Sequence, residues 1–280
     1  MNKAYMHKCF YLPASKGDLF VSLYLPNTTD TNEVIMFIHP FGDELNKSRR
    51  MLSLQAKKFT EKGIAVFFMD LYGCGDSSGE LRDVDWDLWL DDIFVCYKWV
   101  RNNVCKNIGL WGFRLGALLA LDFSQNTNEN ISRILLWKPV ISAEQFLNEF
   151  LRISLAGDML TNSGKNKNKN DILQESVDGN LVELSGYELN PKLVQSMLIK
   201  NYKLFMRKDI QIIWIDIVRN MNIKNIAIEN AHKYWSEIGV NYNFYLEKCE
   251  PFWSTVEITE CTSLLNSTDK YLNSKINECN

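Results

Sequence analysis

A chain of 280 residues, 46% of them hydrophobic, can bury a large core and predicts one α/β domain that carries an insertion. The net charge of −3 gives no basic excess, which argues against a nucleic-acid-binding or polybasic membrane-binding protein. No apolar run reaches the roughly 18 residues of a membrane span, and residues 1–20 lack the apolar stretch of a signal peptide. We therefore expect a cytoplasmic protein.

The cysteines are irregularly spaced and include no CxxC pair, which gives no sign of a metal centre or a redox couple. We expect them to be free thiols and expect neither a metal nor a cofactor. The seven are Cys9, Cys74, Cys96, Cys105, Cys249, Cys261 and Cys279.

Strands and helices alternate in the first half of the chain. This alternation predicts a doubly wound, mostly parallel sheet, preceded by an antiparallel hairpin near residues 10–12 and 19–25. Further strands are expected at residues 33–39, 64–69, 108–111 and 131–137, and helices at 48–62, 86–100 and after 116.

The alternation stops at residue 143. Helices are expected at 145–160 and 191–200 with a short strand at 181–187, and the polar run TNSGKNKNKND at 161–171 predicts a mobile segment. Strands at 211–218 and 241–246, with a helix at 223–238, return to the sheet. These patterns divide the chain into a core at 1–141, an insertion in the position of a lid at 142–209, and a return to the core with a C-terminal helix at 210–280.

The segment KNIGLWGFRLGALLALDF (106–123) predicts a buried strand, a sharp corner and a helix. Gly112 and Gly116 bound the corner, as in the G-x-S-x-G nucleophile elbow. At the central position stands Arg114, whose guanidinium stays protonated and cannot attack a carbonyl. The amide of Leu115 then occupies the place of one oxyanion-hole donor.

The chain resembles the α/β-hydrolase superfamily and, more narrowly, the hydrolase 2 family associated with the exosortase A (PEP-CTERM) system. That resemblance implies an α/β-hydrolase fold, a cytoplasmic protein that acts on an acyl or ester-type bond, and a functional link to exosortase proteins and exopolysaccharide production. The matching segments are HPFGDELNKSRRM (39–51), DLYGCGDSSG (70–79), WDLWLDD (86–92), LWGFRLGALLA (110–120), LLWKPVISAEQFLNEFLR (135–152), SGYELNP (185–191) and PFWSTVEI (251–258).

The superfamily's triad maps only in part onto this sequence. The acid position after the insertion offers Asp216, which could instead point into the sheet, and the segment expected to carry the histidine reads PFWSTVE. Cys74 is an alternative nucleophile or an inert thiol. The oxyanion loop corresponds to His39, Phe41 and Gly42, although for His39 itself we favour a role as the cap of its strand.

Two functions remain open at this point. The first is a hydrolase with a non-standard site, and the second is a non-catalytic protein that binds an anionic ligand or a partner enzyme. Arg114 is expected either to pair with Asp43 or Glu44 or to be neutralised by a ligand, since an unpaired buried charge costs several kcal/mol. Trp253 is expected either in the core or stacked on a ligand.

Overall fold

The structure, a computed structural model, describes residues 5–27, 31–160, 169–184, 186–222 and 225–273. Short 3₁₀ helices lie at Leu81–Asp83 and Tyr202–Leu204. In chain order the other elements are β1 (Tyr5–Pro13), β2 (Asp18–Pro26), β3 (Glu33–Ile38), α1 (Asp43–Thr60), β4 (Ile64–Met69), α2 (Trp86–Asn103), β5 (Ile108–Phe113), α3 (Leu115–Asn126), β6 (Arg133–Trp137), α4 (Ala143–Leu160), α5 (Lys169–Val177), β7 (Val182–Leu184), β8 (Tyr187–Leu189), α6 (Pro191–Ile199), β9 (Gln211–Val218), α7 (Ile226–Ile238), β10 (Tyr242–Lys248) and α8 (Thr262–Asn273).

One eight-stranded sheet organises the described chain, in the order β1-β2-β4-β3-β5-β6-β9-β10. Strands β1 and β2 pair antiparallel with each other, and β2 pairs antiparallel with β4. From β4 to β10 every pairing is parallel. The apolar strands β3 and β5 are buried along their whole length because helices cover both faces of the sheet. The predicted mostly parallel sheet is therefore confirmed.

Each face of the sheet has its own apolar core. Helices α2, α3 and α7 cover one face, with Trp86, Leu118 and Trp235 among the buried side chains. Helices α1 and α8 cover the other, where Leu52 and Leu264 are buried. The insertion packs on the first core through residues of α4 and α6. Among the described residues, no helix is long and apolar enough to cross a membrane.

Three details differ from the sequence prediction. Helix α1 starts at Asp43 rather than residue 48, because Gly42 turns the chain at φ 58° and acidic residues in the first turn complement the helix dipole. The strand predicted at 181–187 is the hairpin β7–β8. Residues 169–171, predicted to be mobile, belong to α5, whereas residues 161–168 lie outside the described residues.

The prediction that all the cysteines are free thiols is wrong for two of them. Cys249, just after β10, and Cys261, just before α8, form a disulfide with their Cα atoms 6.0 Å apart. Their spacing along the chain matches no recognised pattern, and only the fold brings them together. The free thiols of the described chain belong to Cys9, Cys74, Cys96 and Cys105, and Cys279 lies outside the described residues.

Candidate functional site

A strained corner joins β5 to α3. Its central residue, Arg114, has φ 55° and ψ −120°, a conformation that residues other than glycine rarely adopt. Any Cβ at Gly116 would collide with the carbonyl oxygens of Ile38 and His39, and one at Gly112 would lie 2.5 Å from the Cα of Ala117. The two glycines therefore allow β3, β5 and α3 to pass closely enough to build the elbow.

The side chain of Arg114 forms a forked ion pair with Glu44. Its Nε donates to Oε1 at 3.0 Å and to Oε2 at 3.2 Å, and Nη2 lies 3.0 Å from Oε1. The guanidinium carbon lies 5.4 Å from the ring centroid of Trp253 and 5.7 Å from that of Phe146. Both charged side chains are mostly shielded, with 15% and 18% of their surfaces exposed. The elbow therefore presents an aromatic-flanked ion pair in place of a nucleophile.

Two opposing effects act on the pKa of the Glu44 carboxyl group. Burial raises the pKa of its carboxyl group, and the charge and hydrogen bonds of Arg114 lower that pKa by a smaller amount. The other expected partner of Arg114, Asp43, instead accepts a hydrogen bond from the Tyr187 hydroxyl at 2.8 Å. Of the two carboxylates proposed from sequence, the structure thus places Glu44 against the guanidinium and Asp43 against the insertion.

A second ion pair lies beside the first. Lys138 follows β6 and extends Nζ to the Asp216 carboxylate, 2.9 Å from Oδ1 and 3.2 Å from Oδ2. Asp216 is 1% exposed, and burial raises the pKa of its carboxyl group against the opposing charge of Lys138. Lys138 has φ 41°, so Arg114 and Lys138 are the non-glycine residues with positive φ in the described part of the chain. Sequence reasoning missed Lys138, although a lysine between a buried strand and a proline was a visible signal.

Two adjoining clefts open over these ion pairs. The first, about 200 Å³, is lined by Arg114, Lys138 and the Phe146 side of α4. The second, about 410 Å³, is lined by Lys138, Asp216 and Trp253. Because Lys138 and Asn225 belong to both, the clefts form one continuous site, which we call the elbow cleft.

His39 is held by the backbone on both ring nitrogens. Its Nε2 accepts from the Leu71 N–H at 3.1 Å, so Nδ1 carries the proton and donates to the Pro40 carbonyl at 2.7 Å. Burial lowers the pKa of this imidazole, an effect that the charge of Asp70 partly opposes. His39 is therefore a neutral imidazole that bridges two loops by hydrogen bonds, and both of its ring nitrogens are occupied, so neither is available for proton transfer.

The other expected oxyanion residues border the same corner. Phe41 is buried and makes edge-on contacts with Trp89, Phe146 and Phe150. Gly42 precedes α1, and Leu115 opens α3, where a first-turn N–H has no partner within its own helix. The Leu115 amide thus belongs to the first turn of a helix, where backbone N–H groups can donate to an anion.

The remaining sequence candidates do not complete a triad. Burial, with the charges of Asp70 and Asp92, raises the pKa of the Cys74 thiol well above its usual range, which keeps it protonated and weakly nucleophilic. Trp253 lies over Arg114, on the segment where a triad histidine was expected. Among the described contacts His7 bonds Ser22 and His232 packs on Trp214, so neither meets Arg114.

The parallel sheet, the strand-to-helix elbow after β5 and the helical insertion after β6 define an α/β-hydrolase fold. Residues 29–206, more than half of the chain, match the family model described as serine aminopeptidase, S33. The chain therefore belongs to the serine aminopeptidase (S33) hydrolase family. No curated protein sequence is significantly similar to it.

Solved structures of esterases and lipases share this fold. Est1E from Butyrivibrio proteoclasticus with bound ferulic acid is 15% identical, with a TM-score of 0.67 over 94% of this chain and 97% of that one. A soluble variant of monoglyceride lipase from Saccharomyces cerevisiae is 14% identical, with a TM-score of 0.61 over 95% of each chain. DcsB in complex with its substrate analogue is 12% identical, with a TM-score of 0.64 over 95% and 98%. At these identities the likeness concerns the fold alone.

Proposed function

We propose that the elbow cleft binds a small carboxylate-bearing ligand without forming a covalent intermediate. The observation that carries this proposal is the pair of strained positions, Arg114 and Lys138, which both place a cation in the same cleft. Each such backbone conformation costs of order 1–3 kcal/mol and persists only where its surroundings enforce it. Strain that presents two cations side by side favours recognition of an anion.

Entry of the anion is linked to proton uptake. Glu44 and Asp216 already neutralise the two cations, but burial raises the pKa of both carboxyl groups. When either carboxyl takes a proton, its cation is released for the ligand's carboxylate. The rings of Trp253 and Phe146 then offer an apolar surface to the rest of the ligand.

The family and the sequence motifs narrow the ligand class further. We propose an acyl or ester-type compound and, from the resemblance to the exosortase A-associated hydrolase 2 family, a cytoplasmic role linked to exosortase and exopolysaccharide proteins. Membership of a hydrolase family supports the first part. The matched segments, from HPFGDELNKSRRM to PFWSTVEI, support the second.

A second candidate is ester hydrolysis by an activated water molecule, and the position of Glu44 favours it. A carboxylate whose pKa is raised by burial is suited to act as a general base. General-base catalysis typically accelerates a reaction by roughly 10²- to 10⁴-fold. The Arg114 guanidinium and the Leu115 amide would stabilise the oxyanion. This route needs neither a serine nor a histidine.

Two measurements on the same proteins test the proposal and separate the candidates. The proteins are the wild type, Arg114→Gln, Glu44→Gln and the control Arg101→Gln, whose arginine pairs with Glu129 on an exposed surface. Thermal melting with acetate, succinate or phosphate measures anion binding, and p-nitrophenyl esters measure turnover. We expect succinate to raise the melting temperature of the wild type and of Arg101→Gln, and to have no effect on Arg114→Gln.

The outcomes are distinct. Ligand at a hundredfold excess over Kd adds about 2.7 kcal/mol of stability, a shift of several degrees in a chain of this size. If no anion shifts the wild type, or if Arg114→Gln responds equally, the binding proposal is wrong. Ester turnover that disappears in Glu44→Gln while anion binding persists would establish the hydrolytic route in addition to anion binding.

A further inference from the structure

Helix α1 presents a second face, away from Arg114, to a separate cavity. Its residues Leu45, Arg49, Leu52 and Ser53 follow the i, i+4, i+7, i+8 spacing of one helical face and all line this cavity. The opposite wall is a row across three strands of the sheet, because Phe68 of β4 lies opposite Ser22 of β2 on one side and Phe37 of β3 on the other. We call this space the α1 cavity.

The α1 cavity has the size of one aromatic ring with a small substituent. Its volume is about 200 Å³, and a cavity of roughly 150 Å³ lined by apolar side chains is known to hold benzene. The rings of Phe37 and Phe68, with centroids 5.2 Å apart, and the buried side chain of Leu52 form apolar walls. It shares no lining residue with the elbow cleft, so the two sites are distinct.

A loosely held cation stands at the mouth of the α1 cavity. Arg49 donates from Nη2 to Asp70 Oδ2 and from Nε to Asn46 Oδ1, each at 3.3 Å. Charge-assisted hydrogen bonds are ordinarily about 2.7–2.9 Å long, so both contacts are weak. With 44% of its side chain exposed, the guanidinium keeps donors for a forked contact with a carboxylate.

The buried Asp70 carboxylate, which accepts from Nη2 of Arg49, and the His39 imidazole also line the cavity, together with two hydroxyl groups. The Tyr24 and Ser53 hydroxyls lie 3.3 Å apart, a long contact that leaves both able to bond a ligand. Apolar walls with a few convergent polar groups and one cation are the usual make-up of a small-molecule site. Because Asp70 accepts from Nη2 and Asn46 from Nε, a ligand's carboxylate has to meet the guanidinium on its Nη1 side, while the apolar walls accommodate a flat ring.

We propose that the α1 cavity binds a small aromatic carboxylate of about the size of benzoate. The ring lies between Leu52 and the Phe37–Phe68 wall, and the carboxylate makes a forked contact with Arg49. This site is separate from the one in the proposed function, because that function concerns the elbow cleft around Arg114 and Lys138.

The test is benzoate binding to the full chain, measured by calorimetry and by ligand-observed NMR. Arg49→Gln removes the forked contact, and Ser53→Phe fills the cavity without touching the cation. The matched control is Arg50→Gln, since Arg50 is the next residue but pairs with Glu260 outside the cavity. Arg114→Gln reports binding at the elbow cleft.

In the Arg114→Gln background, which removes binding at the elbow cleft, we expect benzoate to bind equally with and without Arg50→Gln, and Arg49→Gln to weaken its binding by roughly tenfold or more. Ser53→Phe in the same background should abolish binding, and it decides the matter if Arg49→Gln fails to fold. Absence of binding to the wild type up to roughly 10 mM overturns the proposal. Binding that is lost in Arg114→Gln and kept in Arg49→Gln overturns it as well, because benzoate would then occupy the elbow cleft.

Discussion

Replacing Arg114 with serine restores the residue type of the nucleophile elbow, yet we predict a less stable protein without esterase activity. The change removes the hydrogen bonds that Glu44 accepts from the Arg114 guanidinium and leaves a carboxylate that is only 18% exposed. Breaking a fully buried pair costs about 3–5 kcal/mol, and the residual exposure reduces this to about 2 kcal/mol. The melting temperature should then fall by roughly 4–8 °C at neutral pH.

The pH dependence identifies the cause of that loss. Without Arg114 the folded-state pKa of Glu44 rises further above that of the unfolded chain. For an acid with a raised pKa, the associated stability is fully present below the unfolded pKa and is lost as pH rises through the folded pKa. The difference between wild type and variant should therefore be largest at neutral pH, shrink as the pH falls through the folded-state pKa, and be smallest below about pH 4.5.

Thermal melting of the wild type, Arg114→Ser and Arg114→Ser with Glu44→Gln, followed across this pH range, measures the effect. The double variant should recover most of the lost stability at neutral pH, because no charge remains unpaired. Esterase assays on the same proteins should stay at background, since a serine hydroxyl needs a base and the described histidine rings are engaged elsewhere, His7 with Ser22, His39 with Leu71 and Pro40, and His232 with Trp214. A pH-independent destabilisation would refute the electrostatic reasoning, and robust new hydrolysis would reveal a base in the cleft.

Further experiments probe the elbow glycine, the Trp253 ring over Arg114 and the Cys74 thiol. Gly116→Ala should destabilise the fold by about 3 kcal/mol or more in denaturant unfolding, because its Cβ would collide with two backbone carbonyl oxygens. As a control, Gly109→Ala should lower the free energy of unfolding clearly less, because the atoms nearest to its Cβ would be 3.3 Å away. Equal losses of stability would contradict the argument that the backbone segments pass closely at Gly116. Trp253→Ala should weaken succinate binding by several-fold, as expected for loss of a cation–π contact worth about 0.5–2 kcal/mol, whereas Trp253→Phe should bind nearly as the wild type. Iodoacetamide at neutral pH should alkylate exposed Cys9 well before Cys74 in a mass-spectrometric time course, and preferential labelling of Cys74 would show an activated thiol.

The sequence predicted the sheet and the elbow well, because these depend on local patterns. Strand Ile64–Met69 is a continuous apolar run, Gln211–Val218 is largely apolar, and the elbow is determined by two glycines four residues apart. The pairing of Lys138 with Asp216 was not predictable, since it joins the ends of two strands that are distant in the chain. The Cys249–Cys261 disulfide and the α1 cavity likewise depend on three-dimensional packing that no short motif encodes.

The first turn of α1 contacts both the insertion and the elbow through two neighbouring residues. Asp43 accepts a hydrogen bond from the Tyr187 hydroxyl of the insertion, and Glu44 forms an ion pair with the Arg114 guanidinium at the elbow. Successive residues on a helix point about 100° apart, so the first turn of α1 reaches in both directions at once. The Tyr187 hydroxyl donates to Asp43 and so offsets part of its charge, and loss of this contact would leave more of that negative charge acting on the Glu44–Arg114 ion pair. Through this one hydrogen bond, the insertion contributes to the electrostatic potential at the elbow.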